Sequence, residues 1–484
     1  MSKYIIWILL LSLWNVILFY GKDFGLSVII FIIPLCLFIY KFLKNNNKIN
    51  NKKGLLFLIP IILLSLCYLF FNNEVFNFLN IPVIFVLFLL MYVYTIHPTY
   101  NFNVLLNDIF SLVFSPFNYI GRLYRITTYK IHLKIKLSSK SKRIIKTSLI
   151  VIPISLIIIA LLSSADMVFG SIFDNFFDKI GDLIEKIFFD NFISKIIYFV
   201  VVFFAIGCSC MYLLFDYKNT QIYSNNNKDK DQLIIKTLVT VLNIIYIIFD
   251  YIQIKSLLLH NVSSNINYAE YARNGFFELM IVSIINLVII FISKLFENKK
   301  QNTDNNYVKI MNTIMIFLTT IIIFSSFVRM HMYELAFGYT TLRVLVFATL
   351  ITESILLIPT VMYIFNSKFN IIKSYMIILL ISYTIINYMN IDYMVARNNV
   401  NRYYVTNKID LDYLKNFSYD NVSVLIELFD KTEDENIKTE IRNYLTEIDN
   451  IDKTDNIFEF NFSKYCGIKA IKTKFSMKKN YIFY

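Results

Sequence analysis

The sequence predicts an all-α protein that crosses a membrane many times, as a polytopic bundle of transmembrane helices with a small helical C-terminal tail. Hydrophobic residues make up 57% of the 484 residues and charged residues only 17%, whereas soluble domains carry about 25% charged residues. The hydrophobic residues are gathered in long runs, which is typical of transmembrane helices. The net charge of +13 fits basic loops that orient a membrane protein, and no basic surface with stacking aromatic residues predicts binding to nucleic acid.

A length rule divides residues 1–390 into spans, because about 20 apolar residues at 1.5 Å each cross a hydrocarbon core of roughly 30 Å. The first run, MSKYIIWILLLSLWNVILFY, lacks a small-residue cleavage site and is therefore predicted to be a retained span and not a removed signal peptide. The eleven predicted spans are 4–20, 26–43, 55–71, 81–96, 147–163, 196–215, 233–250, 276–296, 310–328, 342–365 and 375–390.

Lysine and arginine are concentrated in every second connection between these spans. Connections 41–53 and 97–146 are rich in basic residues, whereas connection 72–80 has none. Because basic loops stay on the cytosolic side, this bias predicts a cytosolic N-terminus in the cell membrane. Eleven spans then place the C-terminus on the extracytoplasmic side, and a miscount of one span would move it to the cytosol.

Two connections are amphipathic. Within the cytosolic basic loop 97–146, FSLVFSPFNYIGRLYR is followed by a basic stretch and is expected to pack at the membrane surface. In segment 166–190, apolar residues at helical spacing alternate with Asp174, Asp178 and Asp182. This pattern predicts a helix that lies on the outer membrane surface or caps the bundle. Its acidic face is interpreted as structural, with a surface for cations or a basic partner as the alternative.

After Asn390 the long apolar runs stop, and residues 391–484 are predicted to form an extracytoplasmic tail of short helices. The segments DLDYLKNF and YDNVSVLIELFD have aspartates at or near their starts, as helix N-termini do. The tail is long enough for a small helical module, whose modest core requires the membrane domain as a partner.

Nothing in the sequence predicts a metal, a cofactor or a catalytic motif. Of the five cysteines, four lie inside apolar runs, and the four histidines are scattered, so that neither zinc spacing nor a disulfide framework results. The ten glycines include no phosphate-binding loop.

Four stretches resemble a known family: LLSSADMVFGSIF, YAEYARNGFFELMIVSIINLVIIF, MHMYELAFGYTTLRVL and ARNNVNRYYVTNKIDLDYLKNFSYDNVSVL. They are similar to bacterial polytopic membrane proteins of domain-of-unknown-function family 4173, with family 4153 as a relative, over residues 150–480. The resemblance implies an integral membrane location and a bacterial source. It brings no established activity, so that it implies no catalytic residue.

Glu353 is the polar residue whose position inside a predicted span most requires an explanation. It follows Arg343 by ten residues, which places it about 15 Å into the bilayer at the rise of an α-helix. Acidic residues are costly there and mark candidate functional sites. Thr349, Asn286 and Asn243, on spans ten, eight and seven, are expected to form hydrogen bonds around it. Two interpretations stay open: a site for a proton or a cation, or a protonated carboxyl that holds helices together.

A second candidate site is a charged patch with aromatic neighbours at the outer face. The connection after span seven contributes to it where it enters span eight, and so does a second predicted outer loop, 329–343. One interpretation is an anion or headgroup site with Arg273 and Arg343 as donors. The other is that tyrosine and phenylalanine form an interfacial belt while the charges pair and face the headgroups. Its predicted members are Glu270, Arg273, Glu278, Arg329, His331, Glu334 and Arg343.

Three functions are compatible with these features. The sequence favours a non-catalytic cell-envelope component that senses or scaffolds, and that binds a protein partner through its outer face and tail. The first alternative is a secondary transporter of a small ion or solute, coupled to protons or cations through Glu353. The second is a membrane enzyme that acts on a lipid-linked substrate. Apart from the lipid bilayer, no partner can be named from the sequence.

Overall fold

A computed structural model describes residues 2–96, 108–109, 111–123, 192–215, 232–258, 276–295, 302–366, 369–451 and 456–475. Regular structure in these ranges is helical throughout, which confirms the predicted all-α fold. The membrane-domain helices are α1 (Ser2–Phe19), α2 (Leu26–Asn45), α3 (Leu58–Phe70), α4 (Glu74–Ile96), α5 (Phe192–Phe215), α6 (Gln232–Leu258), α7 (Phe276–Leu295), α8 (Asn302–Phe337), α9 (Thr341–Phe365) and α10 (Ile371–Tyr388). The tail helices are α11 (Ile391–Thr406), α12 (Leu411–Lys415), α13 (Val422–Lys431), α14 (Glu435–Ile451) and α15 (Phe462–Phe475).

Eight helical segments in the described part of the chain are long and apolar enough to cross a membrane. They coincide with eight of the eleven predicted spans, while the apolar stretch of α1, Tyr4–Phe19, is shorter. Helix α7 covers the predicted span 276–296. The predicted span 147–163, segment 166–190 and most of loop 97–146 lie outside the described residues. The chain is a multi-pass integral membrane protein.

The membrane-domain helices leave many apolar side chains exposed and bury polar side chains together with apolar ones, unlike the helices of a soluble domain. On α7, Ile281, Ile285 and Val288 are 45%, 47% and 49% exposed, whereas Ser283 and Asn286 are fully buried. In hydrocarbon the outward apolar side chains need no protein partner, and the inward polar groups must bond to one another. The arrangement is therefore the one expected of helices surrounded by lipid.

The described helices form two compact units, with α3 and α4 each contributing to both. The first unit comprises Met1–Ser65, Pro82–Ile222 and Asn456–Phe460, and its core lies between α1, α2, α4 and α5. The described residues 111–123 of the amphipathic loop segment join this core, with Leu112, Tyr119 and Leu123 buried.

Gly25 allows the chain segment before α15 to reach α2. The amide of Leu26, the first residue of α2, donates to the carbonyl of Phe460 at 2.9 Å. A Cβ atom on Gly25 would lie 2.7 Å from that carbonyl oxygen, closer than real Cβ contacts allow. Glycine at this position therefore permits a backbone contact between distant parts of the sequence.

The second unit contains the bundle α6–α10, in which successive helices run in opposite directions. Helix α8 packs against α6, α7 and α9, and α7 also packs against α9. Side-chain hydrogen bonds fix the register. Asn243–Met311 and Gln253–Arg329 join α6 to α8, Ser293–Asn312 and Asn286–Thr319 join α7 to α8, and Ser283–Glu353 and Lys294–Ile364 join α7 to α9.

Helices α11–α15, which we call the C-terminal module, share an apolar core. The chain enters the module at Asn390, whose φ of +47° lies in the left-handed region and whose side chain caps α11 by accepting from the Tyr393 amide. Val400, Leu425 and Leu445 are among the buried core residues contributed by α11, α13 and α14. Asp410 caps α12 in the same way, by accepting from the Tyr413 amide at 2.9 Å.

Three connections of the membrane domain contact the C-terminal module within the second unit. Asn73, between α3 and α4, bonds to Asp392. Tyr339, between α8 and α9, bonds to Asn399. The end of α10 continues directly into α11. These helix ends consequently lie on one side of the unit.

Replacement of Asn461 by alanine is expected to destabilise the protein by about 2 kcal/mol. The buried Asn461 amide donates to the carbonyls of Tyr68 and Phe71, both at 2.9 Å, and thereby caps the end of α3. Its oxygen accepts from the Lys464 amide in the first turn of α15. Alanine removes these hydrogen bonds. The measurement is the free energy of unfolding in mixed micelles. Exposed Asn443 gives the control, and an equal loss in Asn443→Ala would contradict the assignment.

Candidate functional site

Helix α7 carries a polar stripe into the interior of the bundle. Ser283, Asn286 and Ser293 are all at most 1% exposed, and each is bonded to another helix. The spacing of three and seven residues places them on one side of a helix. Alternation with isoleucine and leucine on the other side keeps the lipid-facing surface apolar. The stripe therefore forms the polar centre of the four helices α6–α9.

Glu353 lies on α9 directly against this stripe. It is 3% exposed, and its Oε2 atom forms a hydrogen bond with the Ser283 hydroxyl. Its other oxygen, Oε1, is buried with no hydrogen-bond partner among the described residues. The Ser283 hydroxyl also lies 2.7 Å from the carbonyl oxygen of Met280. Ser283 is thus the one hydrogen-bond partner of this carboxyl group among the described residues.

Asn286 forms the next layer of the polar centre. Its Oδ1 accepts from the Tyr246 hydroxyl of α6 at 2.8 Å, and its Nδ2 donates to Thr319 Oγ1 of α8 at 3.0 Å. The Thr319 hydroxyl in turn donates to the Met315 carbonyl at 2.7 Å. One asparagine side chain therefore connects three helices, because it accepts a hydrogen bond from one neighbour and donates one to the other.

Asp250 on α6 is a second buried carboxyl, which sequence reasoning missed. It is 2% exposed, and neither of its oxygens has a hydrogen-bond partner in the described part of the chain. The predicted span 233–250 ended at this residue, whereas the apolar helix continues to Ile254. Its helical spacing with Asn243, Tyr246 and Gln253 was the available signal for a buried polar face.

The other predicted members of the intramembrane site do not reach Glu353. The Thr349 hydroxyl donates to the Leu345 carbonyl of its own helix at 2.9 Å. Asn243 donates to the Met311 carbonyl of α8 at 2.9 Å. Asn286 lies one turn from Ser283 on α7 and bonds to α6 and α8. Of the residues around Glu353, Ser283 is therefore the one that the structure joins to it.

Of the seven residues of the predicted outer-face patch, five lie in the described part of the chain. Glu270 and Arg273 lie outside the described residues, and Glu278 and His331 are exposed. Arg329 is buried within α8 and donates to Gln253 Oε1 at 2.8 Å. It was expected in an outer connection, but the helix continues past it because Gln253 offers a buried acceptor.

Arg343 is likewise engaged by the protein itself. Its guanidinium donates to the Gly338 carbonyl and lies 4.1 Å from the ring centroid of Tyr333. Buried Glu334 is close enough for its charge to interact with that of Arg343. The arginine therefore stabilises the end of α8 and the start of α9, and its contacts differ from those expected of an open anion site.

The turn between α8 and α9 is held by residues of the C-terminal module. The Asn399 side chain accepts from the Tyr339 amide at 3.0 Å and donates to the Tyr339 carbonyl at 2.8 Å, as a paired backbone would. Arg402 donates to the Ala336 carbonyl at 2.8 Å. The Thr341 amide donates to the Tyr413 hydroxyl at 3.0 Å. We call these contacts of Asn399, Arg402 and Tyr413 the turn clamp.

A second set of buried polar contacts joins the module to the turn between α3 and α4. Asp392 accepts from Asn73 Nδ2 and from the Ser418 hydroxyl, both at 2.7 Å. Asp420 accepts from the Asn72 amide and from Asn390 Nδ2, both at 3.2 Å. Burial raises the pKa of the Asp392 carboxyl above its ordinary value, while the bonds from Ser418 and Asn73 oppose this shift.

An open groove of about 730 Å³ lies on the C-terminal module itself. The carboxylates on its walls outnumber the lysines, and two of them, Asp412 and Glu440, form ion pairs with Lys415. The lining residues are Tyr403, Asn407, Lys408, Ile409, Asp410, Leu411, Asp412, Asp434, Ile437 and Glu440. The groove is open to solvent.

Comparison with known protein families gives one match. Residues 58–428 match the family described as Domain of unknown function (DUF4153), which is more than half of the chain. The chain belongs to the DUF4153 family. The resemblance drawn from the sequence named family 4173 first and family 4153 as its relative, and it is the relative that matches. Neither the curated proteins nor the solved structures contain a match.

The DUF4153 region contains both the polar centre of α6–α9 and the turn clamp. It includes the whole bundle α6–α10 with Glu353 and Asp250, and it extends through α11 and α12 to Leu428 in α13. Two of the family-like stretches, MHMYELAFGYTTLRVL and ARNNVNRYYVTNKIDLDYLKNF, meet at the turn clamp. The clamp is therefore a contact between segments of the DUF4153 region itself, whereas α14 and α15 follow that region.

Proposed function

We propose that this DUF4153 protein is a non-catalytic component of the cell envelope that senses or scaffolds, with the C-terminal module presenting a binding surface for a protein partner outside the cytosol. The observation that carries the proposal is the turn clamp. Asn399 replaces a backbone partner for Tyr339, and Arg402 and Tyr413 bond to backbone groups of the same turn. A flexible tether has no need of such contacts, whereas a scaffold requires a fixed orientation relative to the membrane.

The distribution of basic residues supports an extracytoplasmic module. The module contacts the α3–α4 and α8–α9 turns. Connection 72–80 contains no lysine or arginine, whereas the alternate connections 41–53 and 97–146 are strongly basic. The positive-inside rule assigns the basic connections to the cytosol. The side that carries the module is then the outer one.

Cys466 offers a direct test of this orientation. It is exposed on α15, whereas the other four cysteines, Cys36, Cys67, Cys208 and Cys210, are buried. A membrane-impermeant maleimide added to intact cells is expected to label the wild-type protein and not Cys466→Ser. Labelling that requires prior lysis of the cells would place the module in the cytosol and contradict the proposal.

The groove on the module is the surface that we assign to the partner. Its excess of carboxylates favours a basic segment of an envelope protein. A photo-crosslinking residue at Lys408, on the groove wall, is expected to join the protein to one envelope protein in growing cells. The matched position is Tyr465, which is 52% exposed on α15 and is not a groove residue.

The variant pair Asn399→Ala and Arg402→Ala tests the role of the turn clamp. With the module loosened, the adduct formed from position 408 should decrease severalfold while the amount of protein in the membrane stays the same. Equal adducts from positions 408 and 465, or an adduct from 408 that is insensitive to the clamp, would contradict a fixed partner surface.

A secondary transporter coupled to protons or cations is the second candidate, and the burial of Glu353 favours it. A carboxyl group 3% exposed in the interior of a bundle is a costly feature that ion coupling would explain. In sealed vesicles with an internal pH dye, Glu353→Gln is expected to stop any proton flux that the wild type supports. Unchanged flux in this variant would remove Glu353 as a coupling residue.

A further inference from the structure

We propose that Glu353 and Ser283 form a reversible proton-binding site in the membrane interior, in which the Ser283 hydroxyl reorients as the proton binds and leaves. The proposal deepens the transport candidate by naming the ion and the partner group. Proton exchange at Glu353 can be measured in a protein that transports nothing, so that the two proposals fail separately.

The geometry at Ser283 provides for both protonation states of the carboxyl group. A serine hydroxyl has a single hydrogen, but Ser283 Oγ lies within bonding distance of both Glu353 Oε2 and the Met280 carbonyl oxygen. When Glu353 is ionised, Ser283 donates to it. When Glu353 is protonated, its O–H donates to Ser283, which then donates to Met280. Each state therefore keeps Oε2 bonded, and one hydroxyl rotation separates them.

The same surroundings fit a proton better than a metal cation. A bound metal ion needs several oxygen ligands, with six or more typical of calcium. Around Glu353 the structure provides one hydrogen-bond partner, the Ser283 hydroxyl. Asn286, one turn away on α7, is bonded to α6 and α8, and Met280, Leu350 and Leu357 are apolar. A proton needs only one acceptor atom. The ligand that this site can hold is therefore H⁺.

The protonatable group nearest to Ser283 along α7 towards the helix end is Glu278. It is exposed at the start of α7 and precedes Ser283 by five residues, which corresponds to about 7.5 Å along the helix axis. The site is therefore within about one and a half turns of an exposed carboxyl group at the start of α7, so that a proton needs no passage across the whole bundle to reach it.

The other titratable groups on the helices packed around Glu353 make no hydrogen bond to it in the described part of the chain. Asp250 on α6 is buried with no hydrogen-bond partner among the described residues, His331 is exposed, and Glu334 interacts with Arg343. The hydrogen bond from Ser283 is the one polar interaction that acts on the Glu353 carboxyl among the described residues. Buried Lys294 and Arg329 donate to the Ile364 carbonyl and to Gln253, and buried Tyr363 stacks on Phe291. The half-buried tyrosines are bonded in the pairs Tyr246 with Asn286, Tyr375 with Thr360, and Tyr383 with Asn80.

Infrared difference spectroscopy during a pH titration tests the site directly. The purified protein is reconstituted in phosphatidylcholine vesicles without sodium, and the carbonyl stretch of protonated carboxyl groups is followed as the pH is raised. We expect one such band to disappear reversibly in the wild type and to be absent in Glu353→Gln. Asp250→Asn is the matched control, because it removes another buried carboxyl of the bundle and should leave the Glu353 band in place.

Substitutions of Ser283 separate the proposal from a purely structural role. In Ser283→Ala the ionised carboxylate has no donor, so the band should persist to the highest pH at which the protein stays folded. Ser283→Thr retains the hydroxyl and should restore the titration. The proposal is overturned by a Glu353 band that does not titrate in the wild type, or by one that titrates equally in Ser283→Ala. Loss of the band on adding sodium at constant pH would identify a metal cation instead of H⁺ and would also overturn it.

Discussion

Asp392→Ala is expected to lower the free energy of unfolding by about 3 kcal/mol, because two charge-assisted hydrogen bonds of roughly 1.5 kcal/mol each are lost. Asp392 is 4% exposed and accepts from Asn73 and Ser418, both at 2.7 Å. Ser418 can turn to Asp420, which lies 3.1 Å away. Asn73 has no such substitute, and its buried amide would be left without an acceptor. Denaturant titration in mixed micelles measures the loss.

Asp392→Asn keeps the shape of the side chain but removes its charge, and it tests how the stability of the protein depends on pH. Burial raises the pKa of Asp392 in the folded protein, so the folded state binds the proton more tightly than the unfolded state. This contribution is fully present below the ordinary aspartate pKa of about 3.9 and is lost as the pH rises through the folded pKa. Asparagine cannot titrate, so Asp392→Asn should flatten this part of the pH profile and cost less than alanine near neutrality. A slope equal to that of the wild type would assign it to another group.

Gly338→Ala should also destabilise the protein by about 3 kcal/mol. The φ of +84° at Gly338 lies in the left-handed region, which costs a residue with a Cβ atom about 1–2 kcal/mol. The new Cβ would lie 2.7 Å from Asn399 Oδ1 and 3.2 Å from Arg402 Nη1. The collision displaces Asn399 from Tyr339 and forfeits hydrogen bonds worth about 1 kcal/mol each.

Gly21→Ala provides the matched control for this substitution. Gly21 has a φ of +64°, but a Cβ atom there would meet nothing within 4 Å. The loss of stability in Gly21→Ala should therefore contain only the cost of placing alanine in the left-handed backbone conformation. Asn399→Ala in the Gly338→Ala background should add less than it does alone, since the clash and the clamp share one partner. Equal losses at Gly21 and Gly338, or strict additivity with Asn399→Ala, would show that the turn clamp does not act at Gly338.

The spans could be predicted from sequence because lipid exposure demands long apolar runs whatever the neighbours are. Where charges interrupt a run, the prediction ended too early. The predicted spans 233–250 and 310–328 stopped at Asp250 and just before Arg329, although α6 and α8 continue beyond both. Gln253 provides the acceptor that makes Arg329 tolerable inside the bundle. That compensation comes from another helix and is invisible in either segment alone.

Local sequence signals were also sufficient for the N-terminal cap of α12 at Asp410 and for the polar stripe of α7. They were insufficient for the contacts of the module. Asn73 and Asp392 are separated by 319 residues, and no periodicity relates them. The outer-face patch was predicted as one site, but its arginines have different partners. The Arg343 guanidinium contacts Gly338 and Tyr333, which are near it in the sequence, whereas Arg329 bonds to Gln253.

The long separation of these contacts has a consequence for biogenesis. The carbonyls of Tyr68 and Phe71 are synthesised early but receive the Asn461 amide, which leaves the ribosome 393 and 390 residues later. Membrane insertion of α3 and α4 must therefore be completed with these groups still hydrated. The C-terminal residues that cap the end of α3 are synthesised only when translation has nearly ended. A prematurely terminated chain would therefore expose these uncapped carbonyl groups, and quality-control proteases could distinguish it from the finished protein by them.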